Sequence, residues 1–302
     1  MSTIYTTYTD AYSAWGYKKG KECCPKCGRK SFNLQTKYGQ VIDKSVGYCD
    51  HANSCGHSYR AAEYFRRNTN NRFMNEQASF TPPQTRLPSY MDSSLPANYR
   101  SNTSSFVQFL LGVFPKDMVY QASEAYKLGS DGYGNVIFWQ IDIQNRCRAG
   151  KIVSYKPDGH RGKYLNWMHS VLKLKDFNLA QALFGEHLLS MDLKSPICLV
   201  ESAKSAVIGS VVQPECLWLS TEGAINWNIE KLSSLRQRRV IVIPDLWKKP
   251  PKGKNDWHLL VNVLRSMDID AYYWDELEQN ATSEQREKGW DIADSILERF
   301  NY

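Results

Sequence analysis

Four of the five cysteines in the first 55 residues constrain this chain more than any other feature: Cys24-Pro-Lys-Cys27-Gly28, then Cys49 and Cys55. Two thiols three positions apart on a tight turn can reach one ion. Glycine after the second lets the backbone fold back so that amides face the sulfurs. Between the two pairs, SFNLQTKYGQVIDKSVGY reads as a hairpin, with FNLQ and VID as strands around a KYGQ turn. The expected product is a zinc ribbon, with structural Zn2+ held by Cys24, Cys27, Cys49 and Cys55. Cys49 and Cys55 are separated by five residues, wider than a second C-x-x-C, and His51 and His57 are alternative ligands. Cys23 is a spectator. Of the other three cysteines, Cys198 and Cys216 sit in apolar runs and read as small core residues, and Cys147 stands apart.

Cysteine used this way points to metal rather than disulfides, and the polar, aromatic N-terminus lacks the apolar segment of a signal peptide. No run of about 18 apolar residues occurs, so the expectation is a cytoplasmic protein with no membrane partner. The net charge of +7 is unevenly spread. Residues 1–100 hold 14 Lys and Arg against 7 Asp and Glu, whereas residues 191–302 hold 14 against 17. A basic front suits contact with a polyanion. In the ribbon, Lys18, Lys19, Lys21, Lys26, Arg29 and Lys30 alternate with Tyr17, Phe32 and Tyr38. Cations for phosphates and rings for bases suit single-stranded nucleic acid; the same residues also suit a small basic domain that builds its core from aromatics.

The pattern divides the chain at 1–67, 68–104, 105–190 and 191–302. AAEYFRR closes the ribbon as a short helix. Residues 68–104, rich in Asn, Ser, Thr, Gln and Pro without periodicity, read as a partly disordered linker. A helix starting at Ser105 opens a basic, strand-rich lobe, in which residues 134–159 alternate around turns at Gln144-Asn145 and Pro157-Asp158-Gly159. Arg146, Arg148, Lys151, Lys156, Arg161 and Lys163 lie there. The last segment alternates strand and helix: PICLVESAKSAVIGSVV, then CLWLSTEGAINWN, then LSSLRQRRVIVIPD. The expected fold class is therefore α/β, with a parallel sheet whose strand ends carry Glu201, Thr221 and Asp245 toward a ligand. Near the end, GWDIADSILERF places Asp291 and Asp294 at the start of a helix whose Ala293, Ile296, Leu297 and Phe300 face the core.

In this order the pieces resemble bacterial DNA primases. GKYLNWMHS is similar to the stretch that ends the basic lobe of those enzymes and meets template or nucleotide, and ALFGEHLL is similar to the helix leading into their toprim core. The resemblance covers nearly the whole chain and points to the short kind carried by mobile genetic elements. It implies template-directed nucleotidyl transfer on single-stranded DNA with nucleoside triphosphates, and a replicative helicase as a partner. Glu201 would act as base or metal ligand and Asp245 as ligand to catalytic Mg2+. Arg146, Arg148, Lys151, Arg161 and Lys163 would hold template and nucleotide phosphates. Two positions depart from the pattern. Trp247 stands where a toprim Asp-x-Asp has its second acid, and Ala203 stands where relatives often carry another. Asp256, Asp291 and Asp294 are the candidates for a missing carboxylate. The alternative is a catalytically inactive toprim and zinc-ribbon protein that binds DNA. No separate motif supports a nuclease.

Overall fold

The computed structural model describes residues 15–18, 20–37, 40–67, 87–223, 226–246, 257–300 and 302. They fall into two units, Met1–Pro83 and Gln84–Tyr302.

The first unit is built around β3 (Lys30–Lys37), which pairs antiparallel with β1 (Trp15–Tyr17), β2 (Glu22–Cys23), β4 (Gln40–Val41) and β5 (Gly47–Cys49); β5 in turn pairs with β6 (Ser58–Tyr59). Alternation along β3 buries Phe32, Leu34 and Thr36 on one face. Gly47 is required where β5 crosses β3, because a Cβ there would lie 2.0 Å from the Asn33 carbonyl oxygen. The expected hairpin is present, but its second strand is two residues long and Tyr38 lies outside the described residues. Helices α1 (Ala52–Cys55) and α2 (Ala61–Arg67) flank the sheet. Among the described residues the apolar interior is small: Phe32, Leu34, Val46 and Ala61 beside the cysteines.

The second unit begins before its first long helix. Residues 68–86 of the expected linker lie outside the described residues, but 87–104 are built into the fold, which corrects that reading. Met91 bridges to Cys147 and Arg100 to Gly129, and α3 (Leu95–Asn98) lies between them. A few anchors suffice to hold a polar segment: Met91, Leu95 and Tyr99 cover Ile137, Trp139 and Ile152 on one face of the sheet that follows.

That sheet is antiparallel, in the order β10 (Arg161–Trp167), β9 (Cys147–Tyr155), β8 (Val136–Ile141), β7 (Gly129–Ser130), with β10 at an edge. Its other face is covered by α4 (Ser105–Val113), capped by the Ser104 hydroxyl, and α5 (Lys116–Ala125) packs against α4. GKYLNWMHS runs along β10 into α6 (Met168–Val171), and ALFGEHLL forms a short 3-10 turn at Glu186–Ser190.

The last sheet is parallel throughout, in the order β12 (Leu217–Ser220), β11 (Ile197–Val200), β13 (Arg239–Val242), β14 (Asp270–Tyr273). Flanking it are α7 (Ala203–Val212), α8 (Ile229–Leu232), α9 (Trp257–Ser266), α10 (Glu276–Asn280), α11 (Ser283–Lys288) and α12 (Ile292–Arg299). The expected three strands are found; β14 and the helix pair that follows it are additions. Small residues let α7 press on the sheet, and a Cβ at Gly209 would lie 2.3 Å from the Trp218 ring. Phe106, Leu110, Phe138 and Phe184 share one core with Cys198, Val200, Ala206, Val207 and Ile292. The change at residue 190 is therefore a change of sheet within one hydrophobic body.

Candidate metal centre and acid site

In the ribbon, the Cys24–Gly28 turn closes with the Gly28 amide donating to the Cys24 carbonyl and the Cys24 amide to Arg29, each at 2.8 Å. Pairing of Phe32 with Cys49 brings the end of β5 against this turn, and α1 returns Cys55 to the same place. The sulfurs of Cys24, Cys27, Cys49 and Cys55 all lie within 4.8 Å of one another. Cys27 and Cys49 Sγ are 3.8 Å apart. Zinc bound to sulfur at about 2.3 Å in a tetrahedron sets that edge at about 3.8 Å, so the set fits Zn2+. The His51 amide donates to Cys49 Sγ at 3.4 Å and the Ser31 hydroxyl lies 3.2 Å from it. The Ser31 contact leads in lowering the Cys49 thiol to about 7. Neither alternative histidine belongs to the set: His51 is exposed, and the His57 ring leans on Phe32 with centroids 5.1 Å apart. Cys23 is exposed and outside it. Lys19 lies outside the described residues.

In the second unit, Glu201 follows the last residue of β11 and Asp245 comes three residues after β13. Asp291 is the N-cap of α12 and exchanges side-chain to amide bonds with Asp294, 2.9 and 3.0 Å long. The Ser205 hydroxyl of α7 donates to Asp291 Oδ2 at 3.0 Å. Sequence far apart thus converges: burial, then Asp291, then Glu201 push the Asp245 carboxyl well above the usual range, with Asp294 adding and Lys204 opposing. Lys204 Nζ lies 3.1 Å from Asp291 and 3.1 Å from Asp294. The oxygen donors suit a hard divalent ion. Their spacing is looser: among the described residues the four thiols are the one set of three or more ligating groups that closes within 4.8 Å. Trp247 and Asp256 lie outside the described residues, so the Asp-x-Trp departure has no structural counterpart here.

Two residues at this end of the sheet went unnoticed in the sequence. Glu222, in the turn after β12 with a positive φ of 61°, accepts from the Ala203 amide at 2.8 Å and from Lys151 Nζ at 2.6 Å. It ties the N-terminus of α7 to β9. Lys231, buried, donates to the carbonyls of Thr221 and Asn226 and holds the same turn; burial lowers its ammonium to about 8. The one signal was the acid in TEGAIN, which the glycine beside it obscured.

The basic residues divide. Arg146 pairs with Asp142 at 2.8 Å, and its guanidinium lies 4.5 Å from the Tyr90 ring centre. Arg148 is buried, donating to the Ala180 carbonyl at 2.8 Å and facing Asp142 at 3.4 Å. Lys151 is committed to Glu222, whose side chain is 2% exposed. Arg161 and Lys163 project from the edge strand β10, exposed, beside exposed Tyr164. Among the described residues no helix is long and apolar enough to cross a membrane.

No curated protein matches the chain. Residues 104–246 match the domain of unknown function DUF6371, and residues 11–70 match the zinc β-ribbon finger family. Among solved structures, the chain is similar to the E. coli primase catalytic core, with a TM-score of 0.41 and 11% identity over 68% of this chain and 83% of that one. It is similar to the primase fragment of the bacteriophage T7 primase-helicase, at 0.35 and 11% over 91% and 99%. It is also similar to the zinc-binding and RNA polymerase domains of Aquifex aeolicus primase, at 0.33 and 13% over 95% and 82%.

Proposed function

We propose that this chain is a primase-like nucleotidyltransferase of a mobile element, acting on single-stranded DNA with a toprim-type parallel sheet as its catalytic half. The observation that supports the proposal is that the pairing of β11 with β13 and the 2.7 Å bond from the Leu246 amide to the Trp290 carbonyl bring the stretches carrying Glu201, Asp245 and Asp291 to one end of that sheet, where burial and like charge raise the Asp245 carboxyl. Like charges gathered in a part-buried place are costly unless a cation discharges them. Glu201, Asp245 and Asp291 would hold Mg2+, whose role when bound is to stabilise charge at the transferred phosphoryl group. Glu201 would accept the proton of an attacking hydroxyl. Arg161 and Lys163 would take backbone phosphates, with Tyr164 beneath a base. Nucleoside triphosphates are the substrates, and a replicative helicase is the partner that would deliver template.

A second reading, a DNA-binding protein without catalysis, is favoured by one observation: an ammonium already bridges Asp291 and Asp294. Primer synthesis separates the two. Full-length protein with Mg2+ or Mn2+, nucleotides and varied single-stranded templates should make labelled product. Glu201→Gln and Asp245→Asn should each abolish it with DNA affinity nearly intact. No product from wild type on any template, with DNA still bound, selects the second reading.

A further inference from the structure

We propose that Lys204 is a tethered counter-ion of the acid site, and that a divalent cation enters by displacing its ammonium. The inference rests on the reading of Glu201, Asp245 and Asp291 as metal ligands.

Lys204 is the second residue of α7, and its side chain is 18% exposed. A lysine in the first turn of a helix opposes the helix dipole, so helix formation does not explain its place. The acids do. Its Nζ meets Asp291 Oδ2 and Asp294 Oδ1 at equal distances of 3.1 Å, from the side of the cluster that α7 supplies. Asp291 keeps a second donor on the same oxygen, the Ser205 hydroxyl at 3.0 Å, so withdrawal of Lys204 does not strip it of partners. The groups facing the ammonium are Asp291 and Asp294 at the start of α12, together with Asp245 from beyond β13 and the buried Tyr155 of β9, on both of which Lys204 acts electrostatically.

One positive charge among four carboxylates leaves an excess of negative charge, which a divalent ion neutralises better than an ammonium does. A lysine offers its charge on a flexible four-carbon stem and can withdraw without unfolding the helix that carries it. The same contact ties α12 to α7. A bound cation would therefore release that contact, with Glu201, Asp245 and Asp291 as the residues that would hold it.

The test uses the full chain with its zinc site filled, and Mn2+ as the probe, bound metal being counted by electron paramagnetic resonance. Lys204→Met should bind Mn2+ about tenfold or more tightly than wild type, and Lys204→Arg no more tightly than wild type. Mn2+ should raise the melting temperature of Lys204→Met by more than it raises that of wild type. Equal affinity in wild type and Lys204→Met overturns the inference. Mn2+ binding that survives Glu201→Gln and Asp245→Asn unchanged overturns instead the metal reading on which it rests. Should Lys204→Met not fold, wild type supplies the second measurement: acylation of Lys204, read by mass spectrometry, should rise several-fold with saturating Mn2+. Unchanged labelling overturns the proposal.

Discussion

The two units each gather four potential ligands, but they do so in opposite ways. In the ribbon, Cys24, Cys27, Cys49 and Cys55 come from two turns joined by a single strand pairing, and their sulfurs close on one point. In the larger unit, Glu201, Asp245, Asp291 and Asp294 come from two strand ends and a helix cap up to 93 residues apart in sequence, and a lysine lies among them. Beneath the thiols, among the described residues, the core is little more than Phe32, Leu34, Val46 and Ala61. Beneath the acids lie two extended clusters, one on each face of the parallel sheet. A small domain with so little apolar interior needs its ion to fold; a larger one carries its polar site on a fold that stands without it. The ribbon's metal is structural for that reason, whereas the acids lie on a fold with an apolar core of its own.

The sharpest way to break this comparison is to remove the zinc. Apparent zinc binding in such sites is worth about 10–16 kcal/mol at neutral pH. Cys24→Ser with Cys27→Ser, or a strong chelator, should abolish the one equivalent of bound zinc and unfold residues 20–60. The thermal transition of the larger unit should persist. Metal analysis with calorimetry checks both, and a single transition lost as a whole would show that the second unit depends on the first.

The larger unit's own weak point is the buried pair of Lys151 and Glu222, 2.6 Å apart. Glu222→Gln keeps an acceptor for the Ala203 amide but leaves Lys151 without its charge. The expected loss is about 3 kcal/mol in denaturant unfolding, partly recovered in Lys151→Met with Glu222→Gln. The ribbon should be unaffected. A loss below about 1 kcal/mol would mean that water reaches the pair.

What the sequence made legible follows the same division. Cysteine spacing is local, and the ribbon's ligands could be read from a stretch of about thirty residues. The hydrophobic runs ICLV, LWLS and RVIV likewise announced the parallel sheet, because a strand buried on both faces needs an unbroken apolar run. The acid site could be read only in part. Glu201 and Asp245 were visible at strand ends, but their meeting with Asp291 depends on α12 docking against α7, which no local pattern encodes. Glu222 was hidden in a turn. Segment 87–104 looked like linker because its few anchors, Met91, Leu95 and Tyr99, are lost among polar residues. The resemblance that singled out Arg146 and Arg148 for phosphates could not show that Asp142 and the Ala180 carbonyl already hold them.

Acid should strike both units through different groups. The ribbon loses zinc as its thiolates take protons. In the larger unit, burial depresses His187 from 6.5 to about 4, while its ring bonds the Ala125 carbonyl at 2.9 Å. Between those values the unfolded chain binds a proton that the folded one refuses. Stability contributed by neutral His187 is thus complete above pH 6.5 and is lost as pH falls toward 4. The shift corresponds to about 3 kcal/mol. His187→Gln should flatten that part of the unit's stability profile, measured by denaturant titration with the ribbon's zinc followed separately. An unchanged slope would assign the acid loss to other groups.

The smallest expected effect discriminates most finely among the basic residues. A charge serves a phosphate only if it is not already engaged and can be reached. Arg146 and Arg148 share Asp142 and flank Tyr90, and Lys151 neutralises Glu222. Arg161 and Lys163 stand on the edge strand, exposed, and among the described residues neither makes an ion pair. Arg161→Glu with Lys163→Glu should weaken single-stranded DNA binding about tenfold or more, equivalent to about 1.4 kcal/mol, and should lower the salt dependence by about one to two released ions. Arg146→Gln should change affinity by less than about twofold, because removing an engaged charge takes no contact from the DNA. It should still lower the melting temperature of the larger unit, since Asp142 is buried and loses its closest partner. Fluorescence anisotropy across a salt series decides the matter. If Arg146→Gln costs as much affinity as the edge-strand reversal, the DNA takes Arg146 away from Asp142, and the turn between β8 and β9 belongs to the binding surface as well.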